Sequence, residues 1–180
     1  INAVGYENKK PNDSELEIMK NLVHQGMKEG AMGIGSSLIY APAFYSGTEE
    51  LVEICKIAAQ YDGMYISHMR SEGNRLLESI DELLTIANDA GIRAEIYHLK
   101  QSGKKNWNKL DRVIQKIDSA RAEGLKITTD MYTYIAGATG LDASMPPWVQ
   151  EGGLDKWIER LKNPKIKKKV IKEMKTAVSY

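Results

Sequence analysis

Two histidines stand at matching positions in two consecutive strand-like segments of the sequence. His68 closes the first segment and His98 closes the second, and a cation follows each of them two residues later, Arg70 and Lys100. Side chains at positions i and i+2 of an extended strand lie on the same face. Each segment is therefore expected to present an imidazole and a cation to the same side, which is more typical of an active site than of a hydrophobic core.

The two imidazoles are candidate metal ligands. Neighbouring strands lie about 4.8 Å apart and zinc takes nitrogen ligands at about 2 Å, so two histidines at adjacent strand ends can reach one ion. A catalytic zinc usually has three protein ligands and an open position, so two histidines do not define a site. The alternative is a hydrogen-bonded pair of histidines. Asp130, at the end of the next strand-like run, is a candidate third ligand or general base, or else an acid that caps the loop.

The cations beside the histidines suit an anionic substrate. A guanidinium such as that of Arg70 binds a carboxylate through two hydrogen bonds, and the Lys100 ammonium offers a point charge. The alternative is that both form structural ion pairs, with Glu72, Glu95 or Asp130 as partners.

Two tyrosines, Tyr132 and Tyr134, follow the fourth strand-like run. A tyrosine hydroxyl at such a place can polarise the carbonyl group of a substrate.

The elements that position these residues follow from a repeated pattern. Four glycines each end a helical pattern and precede a β-prone run, and glycine is the usual left-handed stop of a helix. The predicted helices run from about residue 14 to 29, 48 to 61, 74 to 90 and 109 to 123, with Asp13 or Ser14 and Thr48 as N-caps. The glycines are Gly30, Gly63, Gly91 and Gly124. We therefore predict an α/β fold of four βα units with parallel strands, whose functional residues lie at the carboxyl ends of the strands.

Composition limits the classes of partner. The chain has 180 residues, 42% hydrophobic and 27% charged, and its 25 Lys and Arg nearly balance its 24 Asp and Glu. We predict neither a nucleic-acid partner nor a membrane partner, because there is no strong net charge and no apolar run approaches about 18 residues. The single cysteine, Cys55, excludes an internal disulfide and is expected in the core. Since the chain begins at Ile1, we expect part of a longer polypeptide, with the cytoplasm as the default compartment.

Five motifs stand out along the chain, the segments 29–42, 67–73, 98–107, 129–141 and 146–153. Together they closely resemble the D-aminoacylase family, the N-acyl-D-amino-acid deacylases of the amidohydrolase superfamily. The resemblance implies a metal-dependent, distorted TIM barrel, of which residues 1–134 would form a part with about four βα units. Residues 135–180 would form a loop and a helical lid or insertion.

The resemblance also implies roles for single residues. His68 and His98 match the two histidines that bind the tightly held zinc of the family. Lys100 and Arg70 match the neighbourhood that receives the substrate carboxylate. Tyr132 is favoured as the catalytic tyrosine near the scissile carbonyl, with Tyr134 assigned to substrate binding.

Other parts of the family's site have no counterpart in the sequence: a His-x-His pair, a bridging cysteine and an essential aspartate. Neither Cys55 nor Asp130 replaces them, because Cys55 lies within a helix and Asp130 ends a different strand. We therefore expect a fragment of a zinc hydrolase of linear amide bonds, acting on a small-molecule N-acyl-amino-acid substrate. Alone, it is expected to be inactive, to bind zinc weakly or not at all, and to self-associate through its incomplete barrel. Alternatives are a cyclic-amide or ester hydrolase of the superfamily, and a non-catalytic binding or assembly module.

Overall fold

The computed structural model describes residues 1–175, and four parallel strands form its centre. The strands are β1 (Gly33–Ser37), β2 (Met64–His68), β3 (Arg93–Ile96) and β4 (Ile127–Thr129). They pair in chain order, with Ser37 opposite His68 in the first pair and Ser67 opposite Ile96 in the second.

A helix precedes each strand, as the glycine pattern predicts. The four helices are α1 (Asp13–Lys28), α2 (Thr48–Ala59), α3 (Leu76–Ala90) and α4 (Leu110–Ala122). This βα alternation with a parallel sheet confirms the predicted fold class of a partial TIM-like barrel.

The helix ends agree with the predicted caps except at the N-termini of α1 and α2. Asn12 is the N-cap of α1 rather than Asp13 or Ser14, and it forms a capping box with Glu15. Gly47, not Thr48, precedes α2 as its N-cap. Gly91 adopts the predicted left-handed conformation after α3, with φ of 62°.

The core lies between the helices and one face of the sheet. Along β2, Tyr65 and Ser67 are buried against the helices, while Ile66 and His68 on the opposite face are less completely buried. Cys55 of α2 is fully buried in this core, as predicted, and burial raises the pKa of its thiol to about 12. The alternation of the strand thus places His68 on the face that the helices leave open.

Residues beyond β4 form a separate helical segment. A short 3₁₀ helix (Leu141–Ser144) leads to α5 (Pro147–Gln150), α6 (Leu154–Lys162) and α7 (Pro164–Lys175). The predicted lid, residues 135–180, includes positions 176–180, which lie outside the described residues. Two further 3₁₀ helices, Ala43–Tyr45 and Lys104–Lys109, lie in the loops after β1 and β3. No helix between residues 1 and 175 has the length and apolarity that crossing a membrane requires.

Candidate metal centre

His68 is the last residue of β2 and has a largely buried imidazole, 12% exposed. The ring of Tyr40 lies beside it, with 5.2 Å between ring centroids. Burial, and after it the charges of the neighbouring His98 and Lys100, lower the pKa of His68 to about 4. The imidazole is therefore neutral near neutral pH, the state in which a histidine binds a metal ion. Its buried Nε2 atom has no hydrogen-bond partner among the described residues.

His98 lies just beyond β3, which ends at Ile96, two residues earlier than the β-prone run suggests. Its backbone is left-handed, with φ of 41°, a conformation that is uncommon outside glycine. The carboxylate of Asp130 accepts a hydrogen bond from the His98 backbone N–H and so stabilises this turn. Asp130 thus makes the contact expected if it caps the loop after β3, which is one of the roles considered for it from the sequence.

The two imidazoles meet although they come from different strands. The ring centroids of His68 and His98 are 4.4 Å apart and the rings are nearly perpendicular, at 86°. Tyr97 packs against the other side of the His98 ring, with 4.0 Å between centroids. The carboxyl ends of β2 and β3 therefore bring together the two residues that the sequence selects.

Glu72 completes this group, and sequence reasoning considers it only as an ion-pair partner. Its side chain is 10% exposed, and its Oε1 atom lies 3.4 Å from His68 Nε2 and 3.2 Å from His98 Nδ1. One ligand atom from each of the three residues lies within 4.8 Å of the others. In the sequence, the signal that could have identified Glu72 as a candidate ligand is its position four residues after His68. It lies in the loop between β2 and α3.

Lys100 connects two members of this group. Its Nζ atom lies 2.5 Å from Glu72 Oε1 and 2.8 Å from His98 Nδ1. An ammonium group has only hydrogen-bond donors, so in this contact Lys100 donates and the Nδ1 atom of His98 accepts. The Lys100 cation therefore lies at the histidine cluster, although His98 and Lys100 both follow the end of β3, and it also forms one of the ion pairs considered as the alternative.

Arg70 does not join the cluster. Its guanidinium donates to both carboxylate oxygens of Glu82, at 2.9 and 2.8 Å. It also donates to the backbone carbonyls of Phe44, at 2.6 Å, and Ser46, at 2.8 Å. Arg70 does not share a face with His68 as predicted. The strand β2 ends at His68, so the alternation of side chains along a strand does not extend to Arg70.

The structure separates the two candidate tyrosines. The ring of Tyr132 lies 6.2 Å from that of His98, and the Lys100 ammonium is 5.4 Å from the Tyr132 ring centroid. Tyr134 is 80% exposed. Tyr132 is thus the tyrosine at the cluster.

A cavity of about 350 Å³ borders Glu72. It lies between the loops after the strands and the beginning of the helical segment, so a molecule in this cavity can contact the Glu72 loop. Residues around it include Tyr40, Gly103, Asn106, Asp142, Met145 and Gln150.

The side chains of His68, Glu72 and His98 fit a divalent metal ion. The group offers two nitrogen atoms and one carboxylate oxygen, which is a common donor set for catalytic zinc. His68 is neutral by virtue of its burial, and its Nε2 atom is buried without a hydrogen-bond partner in the described part of the chain.

Comparison with known proteins identifies similar sequences. The chain is 32% identical to the D-aminoacylase of Alcaligenes xylosoxydans xylosoxydans over 129 residues, which are 72% of the chain and 26% of that protein. Over this part, the chain is similar in sequence to a D-aminoacylase. The N-acyl-D-glutamate deacylase of the same organism is 29% identical over the same share of the chain. No protein-family model matches the sequence.

Part of the fold of solved D-aminoacylase structures matches most of this chain. A crystal structure of D-aminoacylase, described as defining a novel subset of amidohydrolases, matches 72% of the chain with a TM-score of 0.69 and 29% identity. The N-acyl-D-glutamate deacylase of Bordetella bronchiseptica, in complex with zinc and a phosphonate inhibitor, matches 71% with the same TM-score and 26% identity. The chain spans about a quarter of the length of these relatives, 26% to 27%.

Proposed function

We propose that the chain is part of a zinc-dependent amidohydrolase that hydrolyses the amide bond of N-acyl-D-amino acids. The observation that carries the proposal is the convergence of two imidazoles and one carboxylate at the carboxyl end of a parallel sheet. The relatives support the substrate class, since they include an N-acyl-D-glutamate deacylase and an N-acyl-D-aspartate deacylase. The zinc in the complex of the Bordetella bronchiseptica enzyme supports the choice of metal.

In this proposal, His68, Glu72 and His98 hold the metal ion. A bound zinc ion supplies Lewis acidity toward the scissile amide carbonyl. The nearly perpendicular packing of the two imidazoles and the burial of Glu72 hold the three ligand atoms close together before any ion arrives. Such preorganisation reduces the ordering that binding requires.

The remaining residues act on the substrate. In the proposal, Tyr132, whose ring lies 6.2 Å from that of His98, donates its hydroxyl proton in a hydrogen bond to the carbonyl oxygen as negative charge develops there. Lys100 supplies the positive charge for the substrate carboxylate. A direct role of Arg70 in substrate binding stays a prediction, and its four contacts favour support of the loop after β1 instead. Tyr134 likewise stays a prediction.

The substrate class is tested with the complete polypeptide that contains these residues. We expect it to hydrolyse N-acetyl-D-amino acids much faster than the L enantiomers. The His98→Ala variant is expected to lose activity by at least about a hundredfold, because even the outer-shell partners of metal ligands are commonly worth ten- to a hundredfold. Comparable rates on D and L substrates, or a preference for a cyclic amide, would contradict the proposed substrate class.

For the 180-residue chain alone we propose little or no deacylase activity and self-association. Strands β1 and β4 are the outer strands of the four-stranded sheet, and residues of the open face such as Ile66 are only half-buried. Unpaired strand edges and incompletely covered apolar faces favour association. Light scattering of the purified chain tests this, and a monodisperse monomer would contradict it.

A further inference from the structure

Lys109 binds the backbone of the loop that carries Glu72. Residues 69–75 of this loop lie between β2 and α3, outside the helices and strands. The ammonium of Lys109 donates to two successive carbonyl groups of the loop, those of Gly73 at 3.0 Å and Asn74 at 2.7 Å. These two carbonyl groups directly follow the residue whose carboxylate is the candidate ligand.

A second contact from the same region reaches Glu72 itself. The backbone carbonyl of Glu72 accepts a hydrogen bond from the backbone N–H of Ser102, at 2.7 Å. The side chain of Asn106, a residue that is 3% exposed, donates in turn to the backbone carbonyl of Ser102 at 2.6 Å. The segment after β3 therefore holds the Glu72 loop at three consecutive carbonyl groups.

Helix stability alone does not explain the position of Lys109. The carbonyl groups of Gly73 and Asn74 lie within three residues of the start of α3, so the ammonium lies at the N-terminal end of that helix. The helix dipole makes a cation unfavourable at this end. The two hydrogen bonds therefore offset an unfavourable charge, and we expect their net contribution to global stability to be small.

The place of the Glu72 carboxylate depends on its backbone. Its Oε1 atom lies 3.4 Å from His68 Nε2 and 3.2 Å from His98 Nδ1. Functional groups of a site must be held within about 0.5 Å of their productive positions. A shift of the loop backbone would move the carboxylate by a similar distance, so the bonds that fix the loop also fix the candidate ligand.

We propose that Lys109 is a positioning residue: its ammonium fixes the backbone of the Glu72 loop and thereby keeps the Glu72 carboxylate beside the two imidazoles. This inference rests on the proposed function, because it concerns Glu72 as a metal ligand. Lys109 acts through the backbone of residues 73 and 74 and requires no contact with the metal or the substrate.

The first test is amide hydrogen exchange of the purified chain, measured by mass spectrometry without added metal. We expect Lys109→Met to raise the exchange rate of residues 69–75 at least about threefold, since two hydrogen bonds to the loop are lost. Amides in the second half of α3 are expected to exchange as in the unaltered chain. Lys116→Met, which removes a bond between α4 and Asp81 of α3, is the matched control and should leave residues 69–75 unchanged.

The second test is zinc affinity, measured by competition with a fluorescent zinc indicator near neutral pH. We expect Lys109→Met to bind zinc about tenfold more weakly, because partners that orient metal ligands are commonly worth ten- to a hundredfold. Lys109→Arg can also donate to two carbonyl groups and is expected to remain within about threefold of the unaltered chain. Lys116→Met is expected to change nothing, and urea unfolding shows whether each variant is folded.

The outcomes separate the inference from the proposed function. Unchanged exchange in residues 69–75 of Lys109→Met, or an equal rise throughout α3, overturns the positioning role. If Glu72→Gln weakens zinc binding but Lys109→Met does not, the metal site stands and the positioning role is wrong. If the unaltered chain binds no zinc, or Glu72→Gln binds it equally well, the ligand role of Glu72 and this inference are overturned together.

Discussion

The imidazoles of His68 and His98 lie edge to face with 4.4 Å between their ring centroids, although they follow different strands of the sheet. Their proximity depends on the parallel pairing of β2 and β3, which places Ser67 opposite Ile96. It also depends on the left-handed backbone of His98, with φ of 41°. Strand pairing and one local turn together assemble the centre of the candidate site.

The first prediction concerns the pH dependence of stability in metal-free buffer. The pKa of His68 is about 4 in the folded chain against an ordinary value of 6.5, so the unfolded chain binds more protons between these values. The contribution of neutral His68 to the free energy of unfolding is therefore complete above about pH 6.5 and falls as the pH is lowered toward 4. The loss amounts to up to about 3 kcal/mol. Urea unfolding at a series of pH values measures it.

The matched variant for this experiment is His68→Gln, which removes the titrating group and keeps a polar side chain. Its free energy of unfolding is expected to fall less steeply over the same pH range. Equal slopes for the two proteins would show that His68 is not buried in its neutral form.

The second prediction concerns Arg70. Arg70→Met removes a largely buried ion pair with Glu82 and the donors to the carbonyls of Phe44 and Ser46. We expect a loss of about 2 to 4 kcal/mol in the free energy of unfolding, because the Glu82 charge is left without this partner. Thermal and urea denaturation measure the loss.

Arg75→Met is the control for Arg70. Arg75 pairs with Glu78 on the surface, where both side chains are more than half exposed, 59% and 62%. Its removal is expected to cost less than about 1 kcal/mol. Equal effects of the two substitutions would contradict the structural role of Arg70.

The third prediction concerns the pairing of β1 with β2. A Cβ atom at Gly33 would lie 1.9 Å from the backbone oxygen of Met64, so Gly33→Ala must separate the two strands. At Gly35 a Cβ atom would lie 3.6 Å from the side chain of Ile66, which is an ordinary contact. We expect Gly33→Ala to cost at least about 2 kcal/mol of stability and Gly35→Ala clearly less. Denaturation of the two variants tests this, and similar costs would contradict the register.

Much of the fold could be predicted from the sequence because its signals are local. The glycines that end α1, α3 and α4, and the β-prone runs that follow them, are read within a few residues. The end of α2 was less predictable. There, Asp62 adopts the left-handed conformation, with φ of 53°, and Gly63 permits a close approach to Ala58.

The candidate site could be predicted only in part, for a physical reason. His68, His98 and Lys100 follow from their positions at or just after strand ends. The role of Glu72 depends on how the loop after β2 folds back, and the exclusion of Arg70 depends on where that strand ends. Neither fact is contained in the alternation of residues along a strand.

The measurement that tests the central claim most directly is the zinc affinity of the purified chain and its variants. Two histidines alone predict weak or absent zinc binding, but with Glu72 as a third candidate ligand we predict that the unaltered chain binds one zinc ion. Glu72→Gln and the double variant His68→Ala, His98→Ala are each expected to weaken binding at least about tenfold. His24→Gln, which alters a histidine hydrogen-bonded to Tyr61 at 2.7 Å, should leave the affinity unchanged. Zinc bound as tightly by the double variant as by the unaltered chain would contradict the account.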